Sequence, residues 1–129
     1  MHAHNAGERQ LTELDYARLS KLNGGQLADA FSAAELVPSR DIAADVVTMY
    51  TQAEIVFTDS GLKQTVTPCY PADAEPVMGL VSVLSPLGSA LLGLRVGDTA
   101  RWQLPHGEER SAQVARIVFQ PEASGDYLT

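Results

Sequence analysis

Cysteine, basic side chains and long apolar runs are all scarce in this sequence of 129 residues. A single cysteine, Cys69, excludes a disulfide within the chain and leaves no cluster of cysteine and histidine at zinc-site spacing. No apolar run is long enough to span a bilayer, and residues 1–7 lack the basic-then-apolar order of a secretory signal. We therefore expect a cytoplasmic protein without metal, cofactor or membrane contact, which packing alone must stabilise.

Basic residues are outnumbered, because nine Lys and Arg stand against 16 Asp and Glu and give a net charge of −7. The excess of acids is present in both halves of the chain, so neither half is a basic module. Nucleic-acid backbones are held mainly by Lys and Arg, and the sequence therefore predicts no independent nucleic-acid binding. A basic protein surface suits the chain better as a partner.

The length and the 45% hydrophobic content allow one domain with its own core and a small appended element. The appended element is indicated by leucines at positions 11, 14, 19 and 22, which share a helical face behind a capping-box pair, Thr12 and Asp15. The tripeptide Asn23-Gly24-Gly25 breaks this pattern, which resumes at Leu27 and ends before Pro38. We predict disordered residues 1–10, a short antiparallel helical hairpin over 11–37 and a polar linker over 38–45.

From residue 46 the apolar pattern becomes that of strands. Segments 53–58 and 62–69 flank the turn Asp59-Ser60-Gly61, and Pro68 favours an edge or a bulge near the end of the second strand. Further strands are predicted over 80–84, 99–104 and 111–119. Ser85 and Pro86 have the chemistry of a helix N-cap and first residue, and Gly93 ends that helix. Residues 46–129 are thus predicted to form an α+β domain, an antiparallel sheet with one short helix.

Within this domain, the segment from Val81 through Ser85-Pro86 to Gly93-x-x-x-Gly97-Asp98 resembles the C-terminal domain of the bacterial Gre transcript-cleavage factors. Two flanking motifs resemble the Rnk branch of that family, the regulators of nucleoside diphosphate kinase. They are Asp45-Val46-Val47-Thr48-Met49 and the segment from Gln120 to Leu128. The resemblance implies an FKBP-like fold and RNA polymerase as the partner. It also implies that the strand-to-helix corner, Leu84, Ser85, Pro86 and Leu87, is the docking surface.

In the Gre factors, acidic residues at the tip of a long helical hairpin help to hold a catalytic magnesium ion in the polymerase. Carboxylates suit this role because Mg²⁺ prefers oxygen ligands. The predicted tip of this chain, Asn23-Gly24-Gly25, has no acid between Lys21 and Gln26. We therefore predict a protein that is not an enzyme, does not stimulate transcript cleavage, and competes with Gre-type factors near the secondary channel.

Several other residues could have a functional role, but a structural role explains each of them more simply. Asp98 after Gly97 is typical of a turn, Trp102 alternates as a core residue of a strand, and the lone Cys69 suits packing. His106 lies in a tight turn and is expected in solvent. For Ser85 and Pro86 both a structural and a docking role stay as hypotheses, because helix capping explains these residues without docking.

Two other functions remain open at this stage. The family name leaves nucleoside diphosphate kinase as a target of direct or indirect regulation. FKBP-like folds also include peptidyl-prolyl isomerases, although the sequence has no motif for their aromatic pocket. We expect a monomer that binds RNA polymerase.

Overall fold

The structure is a computed structural model that describes residues 9–22 and 31–125. The predicted hairpin tip, Asn23-Gly24-Gly25, and the first part of the predicted second helix, residues 27–30, lie outside the described residues. The same holds for residues 1–8 of the segment predicted to be disordered, residues 1–10, whereas Gln10 is described and begins a strand. The hairpin as a whole therefore stays a prediction.

The described part of the predicted hairpin contains one helix, α1 (Glu13–Leu19), between two short strands. Strand β1 (Gln10–Thr12) pairs in parallel with β2 (Glu35–Val37), so the prediction of helix at these two ends is wrong. The reason at the first end is the cap, because Thr12 has an extended backbone and its Oγ1 accepts the N–H of Asp15 at 2.9 Å. At the other end, the N–H of Glu35 donates to the carbonyl of Arg9, which aligns the two strands.

The predicted linker contains a 3₁₀ turn at Ser39–Asp41, and the buried Ile42 follows it. The next residues contribute three buried apolar side chains to the core, Val46, Val47 and Met49. This stretch is therefore packed against the sheet.

A five-stranded sheet forms the centre of the fold, in the spatial order β5-β4-β3-β7-β6. Its strands are β3 (Gln52–Phe57), β4 (Lys63–Cys69), β5 (Leu80–Ser82), β6 (Thr99–Gln103) and β7 (Glu109–Phe119). All neighbours are antiparallel except β4 and β5, which run parallel, so the prediction of an antiparallel sheet holds for three of the four pairings. The exception arises because the connection over residues 70–79 brings the chain back to begin β5 alongside Thr67. Pro68 lies beyond the part of β4 that pairs with β3, as its missing N–H requires.

The helix predicted after the Ser-Pro step is present as α2 (Pro86–Leu91), and it packs against β6. One core cluster fills the space between this helix and the sheet and includes Trp102, Leu91 and Ile55. A second cluster joins Leu11, Leu19 and Phe31 of the N-terminal segment to Met49, Val83 and Leu92. Because the segment shares a core with the sheet domain, the two pack as one unit in the described part of the chain. No described helix has the length and apolar character to cross a membrane.

Candidate partner-binding surface

The four residues predicted to dock lie together in one tight corner between β5 and α2. The side-chain hydroxyl of Ser82, the last residue of β5, accepts the N–H of Leu84 at 3.0 Å. The carbonyl of Ser82 accepts both the N–H of Ser85 at 2.9 Å and its hydroxyl at 2.6 Å. The corner is therefore fixed by three hydrogen bonds to a single strand residue.

Ser85 also begins the helix, as its position before Pro86 predicts. Its Oγ accepts the N–H of Gly88 at 3.1 Å, and its carbonyl accepts the N–H of Ser89 at 3.0 Å. Pro86 follows at the first helical position, where its lack of an N–H costs nothing. The capping role of both residues is thus confirmed, whereas their role in docking stays a prediction.

Gly88 is a determinant of this corner that the sequence did not reveal. A Cβ at this position would lie 2.1 Å from the carbonyl oxygen of Ser82 and 2.8 Å from its carbon. The first turn of α2 therefore touches the backbone at the end of β5. Only glycine permits that contact, and the signal was missed because it depends on two segments in space.

The corner presents an apolar and uncharged surface to solvent. Leu84 is 43% exposed and Pro86 is also exposed, while Leu87 is half-buried against the core cluster beneath α2. No charged residue lies among these four. A rigid corner with an exposed leucine offers contact area to a partner at a small cost in conformational entropy.

A cleft of about 390 Å³ adjoins the corner on the other side of Pro86. It lies between α2 and β6 and is lined by Arg9, Phe31, Pro86, Ser89, Ala90, Arg101, Trp102 and Gln103. Arg9 is fixed in this cleft because its guanidinium donates to the carbonyls of Ser89 at 2.9 Å and Leu92 at 2.7 Å. Burial lowers the pKa of Arg9. No sequence pattern predicts this cleft, since its lining comes from four separate segments.

The N-terminal helix is attached to the sheet domain by a buried carboxyl group. Asp15 Oδ2 accepts the N–H of Met49 at 3.2 Å, and the side chain is 1% exposed. Burial, together with the nearby Glu122, raises the pKa of Asp15 to about 7 against the opposing hydrogen bonds of Met49 and Thr12. Glu122 is itself buried and accepts the hydroxyl of Thr48 at 2.7 Å.

The other residues considered from the sequence have structural surroundings. Asp98 Oδ2 accepts the N–H of Arg95 at 2.9 Å within the turn, and Trp102 is buried in the core, as predicted. Cys69 is buried, with its Sγ 3.5 Å from the carbonyl of Val81, and burial raises the pKa of its thiol. The ring of His106 is exposed beside Glu108. Among the residues at 9–22 and 31–125, no three or more His, Cys, Asp and Glu side chains are grouped to hold a metal ion.

The sequence of the sheet domain matches the family model described as "Transcription elongation factor, GreA/GreB, C-term" over residues 42–119. The chain is 38% identical over 109 residues to the "Regulator of nucleoside diphosphate kinase" of Escherichia coli strain K12, which covers 81% of this chain and 80% of that protein. It is 29% identical over 118 residues to the "Transcription elongation factor GreA" of Acidiphilium cryptum, covering 90% of this chain and 69% of that protein.

Two solved structures superpose on most of this chain. The GreA/GreB transcription elongation factor from Nitrosomonas europaea superposes with a TM-score of 0.69 and 28% identity, over 87% of this chain and 98% of that one. The GreA factor homolog Gfh1 of Thermus thermophilus superposes with a TM-score of 0.52 and 23% identity, over 87% and 99% of the two chains. This second likeness extends to the fold alone.

Proposed function

The chain belongs to the GreA/GreB family of transcription elongation factors, in the branch of the regulators of nucleoside diphosphate kinase, and from this membership we propose a non-catalytic regulator that binds RNA polymerase. Its relatives carry the names of regulators and transcription factors. We place binding near the secondary channel, in competition with Gre-type factors. In this proposal the protein acts in the cytoplasm as a monomer, and its sheet and α2 form an FKBP-like domain.

The observation that carries the proposal is the exposed apolar corner at Leu84, Ser85, Pro86 and Leu87. Its backbone is fixed by Ser82 and by the Ser85 cap, so that docking orders little that is not already ordered. The exposed face of Leu84 supplies contact area, and Pro86 extends it towards the cleft. Competition with longer factors requires only that both proteins use the same polymerase surface.

The test is a titration of the fluorescently labelled chain with purified bacterial RNA polymerase. Removing the partly exposed leucine by Leu84→Ala should raise Kd about fivefold, because the lost contact is worth roughly 1 kcal/mol. Leu62→Ala is the matched control, since Leu62 is 67% exposed in the β3–β4 hairpin and lies away from the corner. Ser85→Ala reports the cap separately and should cost about 1 kcal/mol in free energy of unfolding.

Competition is measured in the same assay with a labelled GreA-type factor already bound to the polymerase. Unlabelled wild-type chain should displace the factor, and Leu84→Ala should require proportionally more protein. A wild-type chain that does not bind polymerase contradicts the proposed partner. Binding that is equal for wild type, Leu84→Ala and Leu62→Ala places the interface elsewhere.

The name of the Escherichia coli relative favours one alternative, direct binding of nucleoside diphosphate kinase. A pull-down from a lysate of the source organism separates the two, with polymerase subunits and the kinase identified by mass spectrometry. Retention of the kinase without polymerase would replace the proposed partner. Retention of polymerase alone would mean that any effect on the kinase is indirect, through the expression of its gene.

A further inference from the structure

We propose that the free edge of β6 and the cleft beside it bind an extended acidic peptide segment of a partner protein by strand addition. This site goes beyond the proposed function, because it needs neither Leu84 nor RNA polymerase as the partner, although Pro86 belongs to both the corner and the cleft. Three properties of the site favour such binding: the orientation of the β6 backbone, the shape of the cleft, and its charge.

The backbone of β6 has hydrogen-bonding groups that point away from the sheet. Leu104 donates its N–H to Glu108, and Asp98 accepts the N–H of Val114, so these even-numbered positions face β7. Residues opposite each other in an antiparallel pair alternate between bonded and non-bonded positions. The odd-numbered residues Thr99, Arg101 and Gln103 therefore direct their N–H and C=O groups outward. Within the described residues β6 has β7 as its single neighbour, and this row of groups is open.

The cleft adjoins this open edge. Arg101, Trp102 and Gln103 form its strand side, while Pro86, Ser89 and Ala90 form its helix side. A volume of about 390 Å³ is enough for one or two side chains of a peptide that runs along β6. Trp102 and Ala90 belong to the apolar core and form an apolar floor for such a side chain.

The cleft is basic on a protein that is acidic overall. Two arginines, Arg9 and Arg101, are among its lining residues, and none of the lining residues is an acid. The chain as a whole carries a net charge of −7. Arg9 is held by two carbonyls and by the ring of Phe31, with its guanidinium carbon 5.5 Å from the ring centre. Arg101 forms no ion pair with a described residue and is exposed on the strand.

These properties select the occupant. An open strand edge recognises an extended backbone, and a neighbouring cleft recognises one side chain of it, which together define binding by strand addition. The two cations select for acidic residues next to that apolar side chain. A charged residue on an edge strand also discourages aggregation, but that task alone does not require a cleft with a tryptophan floor.

The probe is a library of random peptides displayed on phage and selected against the immobilised full-length chain. We expect the selected sequences to alternate apolar residues with Asp or Glu. A synthetic peptide of the selected sequence should slow amide hydrogen exchange at Arg101 and Gln103 in the ¹⁵N-labelled chain. Exchange at Trp102, whose N–H faces β7, should change little.

Two variants test the contacts separately. Arg101→Glu should weaken the synthetic peptide about tenfold or more by charge reversal, whereas Lys63→Glu, the same change at an exposed site on β4, should leave binding unchanged. Gln103→Pro removes an outward N–H without removing a bond to β7 and should also abolish binding. Thermal melting shows whether each variant is folded. If Gln103→Pro does not fold, Arg101→Glu alone tests the proposal.

Three results would overturn the proposal. The first is a selection that yields no peptide, or peptides without acidic residues. The second is binding by the selected peptide that Arg101→Glu leaves unchanged. The third is slow exchange at Arg101 and Gln103 in the chain without peptide, because another part of the chain or a second copy would then occupy the edge. Dependence of that protection on protein concentration would identify the second copy.

Discussion

Asp15 accepts the backbone N–H of Met49 at 3.2 Å, across 34 positions of sequence. This hydrogen bond joins α1 to the loop that leads into β3, beside the shared core of Leu11, Leu19 and Met49. A carboxyl group in such a place is expensive to ionise, since burial removes water from it. The attachment of the N-terminal helix is therefore coupled to pH.

We predict that Asp15→Asn stabilises the protein above about pH 7 and has little effect near pH 4. Burial first, and Glu122 second, raise the pKa of Asp15 to about 7, whereas an aspartate in an unfolded chain ionises near pH 4. Between these values the folded state holds a proton that the unfolded state has released. Stability from this group is therefore greatest near pH 4, falls as pH rises towards about 7, and stays low above it.

Asparagine keeps an oxygen for the Met49 N–H but has no charge to bury. The gain at high pH is at most about 4 kcal/mol by the linkage relation, from a pKa that already includes the opposing effect of Arg18. Urea unfolding from about pH 4 to pH 9 measures the effect. Asp41→Asn, at an exposed position, is the control. Parallel stability curves for wild type and Asp15→Asn would show that this carboxyl group titrates alike in both states.

We predict that Gly88→Ala destabilises the fold by about 2 kcal/mol or more. The added Cβ would lie 2.1 Å from the Ser82 carbonyl oxygen, which is backbone and cannot rotate away. Gly88 lies inside α2, where alanine is intrinsically better by about 1 kcal/mol, so a loss of stability isolates the steric contact. Ser89→Ala in the same helix is the control and should be nearly neutral in chemical denaturation. A variant as stable as wild type would mean that the corner has room to open.

We predict that Cys69→Ser costs about 1 kcal/mol of stability and leaves polymerase binding unchanged. The thiol is buried against the carbonyl of Val81, and a serine hydroxyl can donate to the same oxygen. Because burial raises the pKa of the thiol, a thiol reagent should modify Cys69 only when the protein unfolds. Fast labelling of the native protein, or lost binding in a folded variant, would reveal a functional thiol.

The parts of the fold that the sequence predicted are those with local chemistry. The turn at Asp59-Ser60-Gly61, the Ser85-Pro86 helix start and the alternation around Trp102 depend on near neighbours, and each was found where expected. The pairing of β1 with β2 was missed because three-residue strands are too short to show a period of two. Asp15 was predicted only as the capping-box partner of Thr12, because its contact with Met49 joins residues far apart in the chain.

In the candidate site, too, the residues of a local motif were predicted and those that depend on distant contacts were not. Leu84, Ser85, Pro86 and Leu87 are contiguous and could be found from a motif, whereas Gly88 acquires its role from the approach of Ser82. The cleft beside β6 combines Arg9 with Arg101, which are distant in sequence. No pattern along the chain predicts such a meeting, because it depends on how α2 and the N-terminal segment pack on the sheet.

We predict that the protein does not stimulate transcript cleavage in backtracked elongation complexes. The segment Asn23-Gly24-Gly25, predicted as the hairpin tip, has no carboxylate for Mg²⁺, which prefers oxygen ligands. Of the two acids within α1, Glu13 is the first residue of the helix, away from the predicted tip. Asp15 is buried and already accepts the Met49 N–H, so it is not available to a metal in another protein. The measurement is the length of RNA released over time, with a GreA-type factor as the positive control.

A variant tests whether the missing carboxylate is the whole reason. Gly24→Asp should not restore cleavage, since α1 has only seven residues and at about 1.5 Å per residue extends about 10 Å. An acid on so short an arm does not reach a catalytic centre at the end of a channel. Cleavage by the wild-type chain above the intrinsic polymerase rate would contradict the non-catalytic assignment. Cleavage by Gly24→Asp alone would show that the arm is long enough and that the absent carboxylate alone prevents the reaction.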